Sequence, residues 1–204
     1  MWEFVPDANA RDRIMQTILL PEPYLDSMAQ LFFWGALREN GISSHLREQQ
    51  SMPDLHIFFS GELTIGGEVK AIRATTNPKN VRNTLRKAND QLKHFDEQKS
   101  GILFIKVLNG ALRSTDDTVP KVVDQFVNVL SAAIDSHQYR SVGQIVISWD
   151  DYIVMGSKQR AMYTFRRRSL VLSHSAPRSA PLISAERLNI GSSVVIWTKS
   201  SIQP

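Results

Sequence analysis

Three residues between positions 54 and 70 have the types and spacing for phosphodiester chemistry: Asp54, preceded by Pro53, and then Glu68 and Lys70, which flank Val69. Two carboxylates about 5 Å apart on neighbouring strands repel each other unless a hard divalent cation lies between them. Mg²⁺, or Mn²⁺ in its place, takes a few such oxygens and keeps several waters. The backbone carbonyl of Val69 could add one more oxygen. An ion held there grips a phosphate, lowers the pKa of an attacking water and stabilises the leaving oxygen. Lys70 would orient that water or neutralise charge in the transition state. The letters alone do not select this set, because Pro6-Asp7 and Glu97-Gln98-Lys99 repeat them. The elements that carry the residues must decide.

Apolar residues at Leu25, Met28, Leu31, Phe32, Gly35 and Ala36 keep a helical period over residues 24–40, and Asn40-Gly41 stops it. Residues 42–48 suit a short strand. Leu55-His56-Ile57-Phe58-Phe59 is better strand material, opened by Pro53. Ser60-Gly61 reads as a two-residue turn into a returning strand over residues 62–72. That turn pairs Phe59 with Glu62 and would set Asp54 opposite Gly67. A bulge at Gly66-Gly67 adds the residue needed to bring Asp54 opposite Glu68. Opposed residues point to one face, and Lys70 shares it because strand side chains alternate. The same three residues would also suit a solvated hairpin face on which Lys70 only pairs with an acid.

Val81, Leu85, Ala88, Leu92 and Phe95 mark an amphipathic helix over residues 78–98, with Arg82, Arg86, Lys87, Gln91 and Lys93 on its other faces. A nearly continuous apolar run over residues 102–108 predicts a strand covered on both sides. A third helix follows at 119–134 and another buried strand at 143–149. Beyond Asp150 the pattern breaks into short strand-like pieces at 161–165, 169–172 and 193–198, around a Ser/Pro-rich loop at 173–184. The order predicts an α/β fold, a three-layer sandwich with a central mixed sheet flanked by helices. It would fill residues 1–150, followed by a basic, β-rich extension over 151–204.

With its elements in this order, the segment 24–108 resembles the PD-(D/E)xK nuclease superfamily, whose restriction-endonuclease-like core runs helix, three strands, helix, strand. Pro53-Asp54 falls at a strand start, Glu68-Val69-Lys70 in the next strand, and the basic helix and Gly101-Ile102-Leu103-Phe104-Ile105 follow in the family's order. The resemblance implies a Mg²⁺-dependent or Mn²⁺-dependent endonuclease with Asp54 and Glu68 as metal ligands. Gln91 resembles a helix glutamine that some branches use near the site, and it equally suits a surface position. Members often add an acid on the first helix, for which Glu22, Asp26 and Glu39 are the candidates. The alternative is a nuclease-like fold that binds nucleic acid or protein without cutting.

Charge is unevenly spread over the 204 residues. The net value is +4, but residues 70–99 hold eight Lys or Arg against three acids, and residues 157–204 hold eight against one. Such segregation fits a polyanionic partner, nucleic acid, with DNA expected ahead of RNA. Arg82, Arg86 and Lys87 on one helix could grip phosphates. Arg166, Arg167 and Arg168, near Tyr163 and Phe165, could add charge and stacking, or could guard an exposed strand edge. A homodimer would serve cutting of both strands. The absence of cysteine, the polar first 13 residues and the lack of any apolar run of about 18 residues fit a cytoplasmic protein without a membrane partner. Nucleophile-elbow, phosphate-loop and dinucleotide glycine motifs are missing, and His45, His56, His94, His137 and His174 lack metal-ligand spacing.

Overall fold

The structure, a computed structural model, describes residues 23–47, 52–59, 63–108, 112–113, 119–157, 160–179, 183–188 and 190–198. Its elements in chain order are α1 (Pro23–Glu39), β1 (Ser44–Leu46), β2 (Leu55–Phe59), β3 (Leu63–Ile72), α2 (Pro78–Phe95), β4 (Gly101–Val107), β5 (Leu112–Arg113), α3 (Lys121–Ile134), a short 3-10 turn (His137–Tyr139), β6 (Val142–Ser157), β7 (Arg160–Ser173) and β8 (Ser192–Thr198). One mixed sheet runs in the order β1-β2-β3-β4-β6-β7-β8, with β5 beside β6. The β1-β2-β3 pairs are antiparallel, β3-β4-β6 are parallel, and β6-β7-β8 are antiparallel again. This is the expected α/β architecture with a mixed sheet between helices.

Two apolar clusters cover the sheet, one on each face. Ala29, Phe33, Trp34 and Leu37 of α1 pack with Val69, Ile102, Phe104 and Val146, and the Phe33 and Phe104 rings lie 5.1 Å apart. Val81, Leu85, Ala88 and Leu92 of α2 pack with Val123, Phe126 and Leu130 of α3 over Leu103, Ile105 and Ile147. The alternation of β4 therefore feeds both clusters, as its continuous apolar run implied. Both flanking helices are also closed locally. Gly41, at φ 69°, ends α1, with its N–H on the Arg38 carbonyl and that of Ile42 on Leu37, the paired bonds of a Schellman stop. Asn77 caps α2 by accepting from the Lys79 N–H at 3.0 Å, with Pro78 in the first turn.

The β2-β3 hairpin reaches the expected alignment by a different route. Phe59 pairs with Leu63 and the register runs unbroken to Leu55 and Gly67, so three residues connect the strands and no bulge is needed. The proposed two-residue turn at Ser60-Gly61 lies outside the described residues, but its pairing of Phe59 with Glu62 is replaced. Gly66 and Gly67 serve packing instead: a Cβ on Gly66 would lie 2.7 Å from Pro53 Cγ and 3.0 Å from Leu92, and one on Gly67 would lie 2.9 Å from Phe104.

The pieces expected beyond residue 150 are longer and joined. β6 passes residue 150 without a break, and β7 pairs with it from Gln144↔Ser173 to Ser157↔Arg160. Ile183, Leu188 and Ile190 belong to the same apolar cluster as α1.

Strands β3 and β4 approach closely at Gly101, where a Cβ would stand 2.5 Å from the Gly66 carbonyl oxygen and 2.6 Å from Leu92. Backbone cannot yield there as a flexible side chain would, so Gly101→Ala should destabilise the fold by about 1–3 kcal/mol. A lowered urea midpoint at unchanged slope, followed by tryptophan fluorescence, would show it; an unchanged midpoint would refute the packing assignment.

Candidate active site

β3 outruns its partner. β2 begins at Leu55, opposite Gly67, whereas β3 continues to Ile72. Residues 69 and 71 therefore turn their N–H groups toward an edge with no strand beside it among the described residues. Carboxylates take the strand's place: the Val69 N–H donates to Asp54 Oδ2 at 2.8 Å, and the Ala71 N–H to Asp26 Oδ1 at 3.0 Å. A residue's N–H and C=O leave a strand on the same side, so the Val69 carbonyl opens on this edge as well. Asp54 stands just before β2, and extending the register by one residue sets it across from Glu68. Gln30, one helical turn beyond Asp26 on α1, donates Nε2 to Asp54 Oδ1 at 2.9 Å.

Glu68 and Lys70 neighbour Leu103 and Ile105 in the parallel pair, which puts both on the face covered by α2 and α3. Glu68 is fully buried. Its Oε1 accepts from Lys70 Nζ, the Asp54 backbone N–H also favours its charged form, and its Oε2 makes no hydrogen bond among the described residues. Burial, and then the neighbouring Asp54 charge, push the Glu68 carboxyl up to about 7. Burial likewise raises Asp54 to about 6, against the pull of Lys70, the Val69 N–H and Gln30. Burial opposes charge on Lys70, but Glu68, Asp54 and Asp26 outweigh it and hold its ammonium above the ordinary lysine value.

These donors suit a hard cation. Among the described residues no three His, Cys, Asp or Glu side chains form a ligand set by themselves. Two carboxylates and an edge carbonyl instead match Mg²⁺ or Mn²⁺, which retain waters. The orphaned Oε2 of a buried carboxylate is the atom that a cation would satisfy.

The other sequence candidates scatter. Gln91 is half-buried on α2 and takes no part in the hydrogen bonds of the triad. Arg82, Arg86 and Lys87 are exposed on α2, and Arg82 lines a cavity of about 630 Å³ between α2 and α3. Among the first-helix acids, Asp26 reaches the site, Glu39 is exposed at the far end of α1, and Glu22 lies outside the described residues. Gln30 was not among the candidates; its spacing of four from Asp26 was the available signal. His56 packs against Phe95 at 4.6 Å, and burial followed by Arg47 and His45 lowers it to about 4, which leaves it neutral.

The arginine run is engaged within the sheet. Arg166 meets the buried Asp151 through Nε at 2.8 Å and Nη2 at 3.1 Å, with Arg168 Nη1 3.6 Å from the same carboxylate. Arg167 lies 3.6 Å from Asp150 and 4.3 Å above the Phe32 ring, and Lys106 also holds Asp150 at 2.8 Å. The β6-β7 register sets the acids against the arginines, Asp150 opposite Arg167 and Asp151 opposite Arg166.

No family model matches the chain, and no curated protein or solved structure matches it either.

The raised carboxyls make stability depend on pH. Each binds its proton more tightly folded than unfolded, so its contribution is complete below the ordinary carboxylate range and is lost as pH rises to about 7. His56 acts oppositely between about 4 and its ordinary value, 6.5. Above that range, in EDTA, the wild-type urea midpoint should fall with rising pH, whereas that of Glu68→Gln should stay flatter. Added Mn²⁺ should raise the wild-type midpoint at high pH and leave the variant unmoved. Parallel pH profiles for the two proteins would overturn the assignment of Glu68.

Proposed function

We propose that this chain is a metal-dependent nuclease with a restriction-endonuclease-like core, hydrolysing phosphodiester bonds through Asp54, Glu68 and Lys70. One observation carries the reading: a fully buried glutamate, set across from a second carboxylate, holds one oxygen on a lysine and leaves the other without a hydrogen bond among the described residues. The strand order supports it, since α1, the antiparallel β1-β2-β3 meander, α2 and the parallel β4 follow the sequence of elements that the resemblance implies. Asp26 provides the first-helix acid.

Asp54, Glu68 and the Val69 carbonyl would hold the cation. The bound ion would supply Lewis acidity toward a phosphate oxygen and acidify a water. Lys70 holds its proton firmly, so its task is electrostatic: to steer the attacking water and offset charge gathering on the phosphoryl oxygens. The exposed Arg82, Arg86 and Lys87 would track the backbone of a nucleic acid, with DNA the first substrate to try. Because Arg166 and Arg168 share the buried Asp151, their first role is to fix β7 on β6.

A second reading has its own observation. Asp54 and Asp26 already serve the β3 edge as hydrogen-bond acceptors, which a non-cutting nucleic-acid-binding or protein-interaction module would need equally.

Cleavage of supercoiled plasmid separates the two. Wild type should nick or linearise it with Mg²⁺ or Mn²⁺ and not in EDTA. Glu68→Gln and Lys70→Ala, checked for folding by urea titration, should cut at least about 100-fold more slowly. Equal cutting by both variants would remove the site. Binding without cutting, on DNA and RNA alike, would favour the second reading.

A further inference from the structure

Asp54 lies outside the paired β2-β3 register. It precedes the first residue of β2, and its backbone is tied by the Arg47 N–H on its carbonyl at 2.8 Å. The sheet therefore does not fix its side chain as it fixes Glu68, which lies within β3 and is paired with Leu103 of β4. Two contacts orient the carboxylate: the Val69 N–H on Oδ2 and the Gln30 amide on Oδ1. The first belongs to the strand edge. The second comes from α1, 24 residues earlier in the chain, and α1 is itself held at three points around Gln30. Asp26 binds the Ala71 N–H at 3.0 Å, Trp34 Nε1 donates to the Ser44 carbonyl at 3.1 Å, and Phe33 is fully buried against Phe104. An amide on so firmly seated a helix sets the orientation of the group it touches.

We infer that Gln30 is a positioning residue that aligns the Asp54 carboxylate for a divalent cation. The inference rests on the metal-site reading above. Gln30 donates through Nε2 and leaves a second lone pair on Oδ1 free, so orientation and ligation use different electron pairs of the same carboxylate. With both oxygens tethered, Asp54 cannot swing away from Glu68 without breaking a hydrogen bond. Partners of this kind, which bind the ligand rather than the ion, are commonly worth 10-fold to 100-fold, in affinity or activity.

Gln30→Met is the test, since methionine keeps the length, the unbranched shape and the helix preference while removing the donor. Two measurements are made. In metal-free protein, the Gln30 side-chain amide resonances should be displaced from solvent-exposed glutamine positions and should move to them in Asp54→Ala. In Mn²⁺ titrations by calorimetry, Gln30→Met should bind about 10-fold more weakly than wild type while its urea midpoint stays close. A lowered midpoint with unchanged Mn²⁺ affinity would make Gln30 a purely structural residue and overturn the inference. Amide resonances insensitive to Asp54→Ala would overturn it without any reference to metal. If wild type shows no Mn²⁺ binding that depends on Asp54 and Glu68, the metal-site reading fails, and the positioning role toward a cation fails with it.

Discussion

A strand inside a folded sheet must find a partner for each N–H, and a buried N–H left alone costs about 1–3 kcal/mol. β3 meets this constraint unevenly. On one side β4 accompanies it through Ile72, while on the other β2 stops at Leu55. The Val69 and Ala71 N–H groups fall past that end and are taken up by Asp54 and Asp26. Much of the site follows from this arrangement. Asp54 is drawn against β3, opposite Glu68. The α1 helix is pinned to the sheet edge by Asp26, and Gln30 comes within reach of Asp54. A β2 longer by one pair would fill the edge with backbone and leave the carboxylate no such place.

Close packing beneath the edge holds that geometry. Gly66 and Gly101 let Leu92 of α2 lie directly on the strands, and Gly66 also admits Pro53, the residue before Asp54. Any larger residue at these positions would lift α2 or displace Pro53, and the hairpin end with it. Across the sheet, β6 and β7 hold a second buried carboxylate. Asp151 is fully buried, as Glu68 is, but both of its oxygens meet arginine nitrogens, two from Arg166 and one from Arg168. Planar forks of this kind satisfy a carboxylate bidentately.

Sequence patterning exposed the elements whose periodicity is unambiguous. The heptad-like spacing from Val81 to Phe95, the Asn40-Gly41 stop and the apolar run of β4 all lie where they were expected. The opposition of Asp54 and Glu68 was legible too, though through the wrong device. A glycine pair reads as a bulge when conformation is the only reason considered for glycine, and here the reason was the proximity of Pro53, Leu92 and Phe104. Contacts between distant segments were not legible. Beyond the spacing of four between Asp26 and Gln30, nothing local announces that Gln30 meets Asp54, or that Asp150 and Asp151 face the arginine run, because both depend on how elements dock and on a hairpin register. The fragmented reading beyond residue 150 has a similar origin, since charged residues interrupt the alternation of β7 where they are paired across the sheet.

The three carboxylates at the edge differ in how much of their placement structure alone explains. Asp54 and Asp26 cap N–H groups, and a protein with no chemistry to perform would still gain from them. Glu68 is placed differently, although the Asp54 N–H also favours its charged form. It occupies an interior strand position on the α2-α3 face, where its neighbour on β4 is Leu103, and an apolar residue there would join the surrounding cluster without any desolvation penalty. Its partnership with Lys70 compensates one oxygen only, and replacing a buried ion pair by apolar residues is often neutral or stabilising. The fold therefore bears a buried glutamate with an oxygen that makes no hydrogen bond among the described residues. A cation opposite Asp54 would account for that glutamate, and so Glu68, rather than the more visible Pro-Asp pair, is the residue on which the functional reading turns.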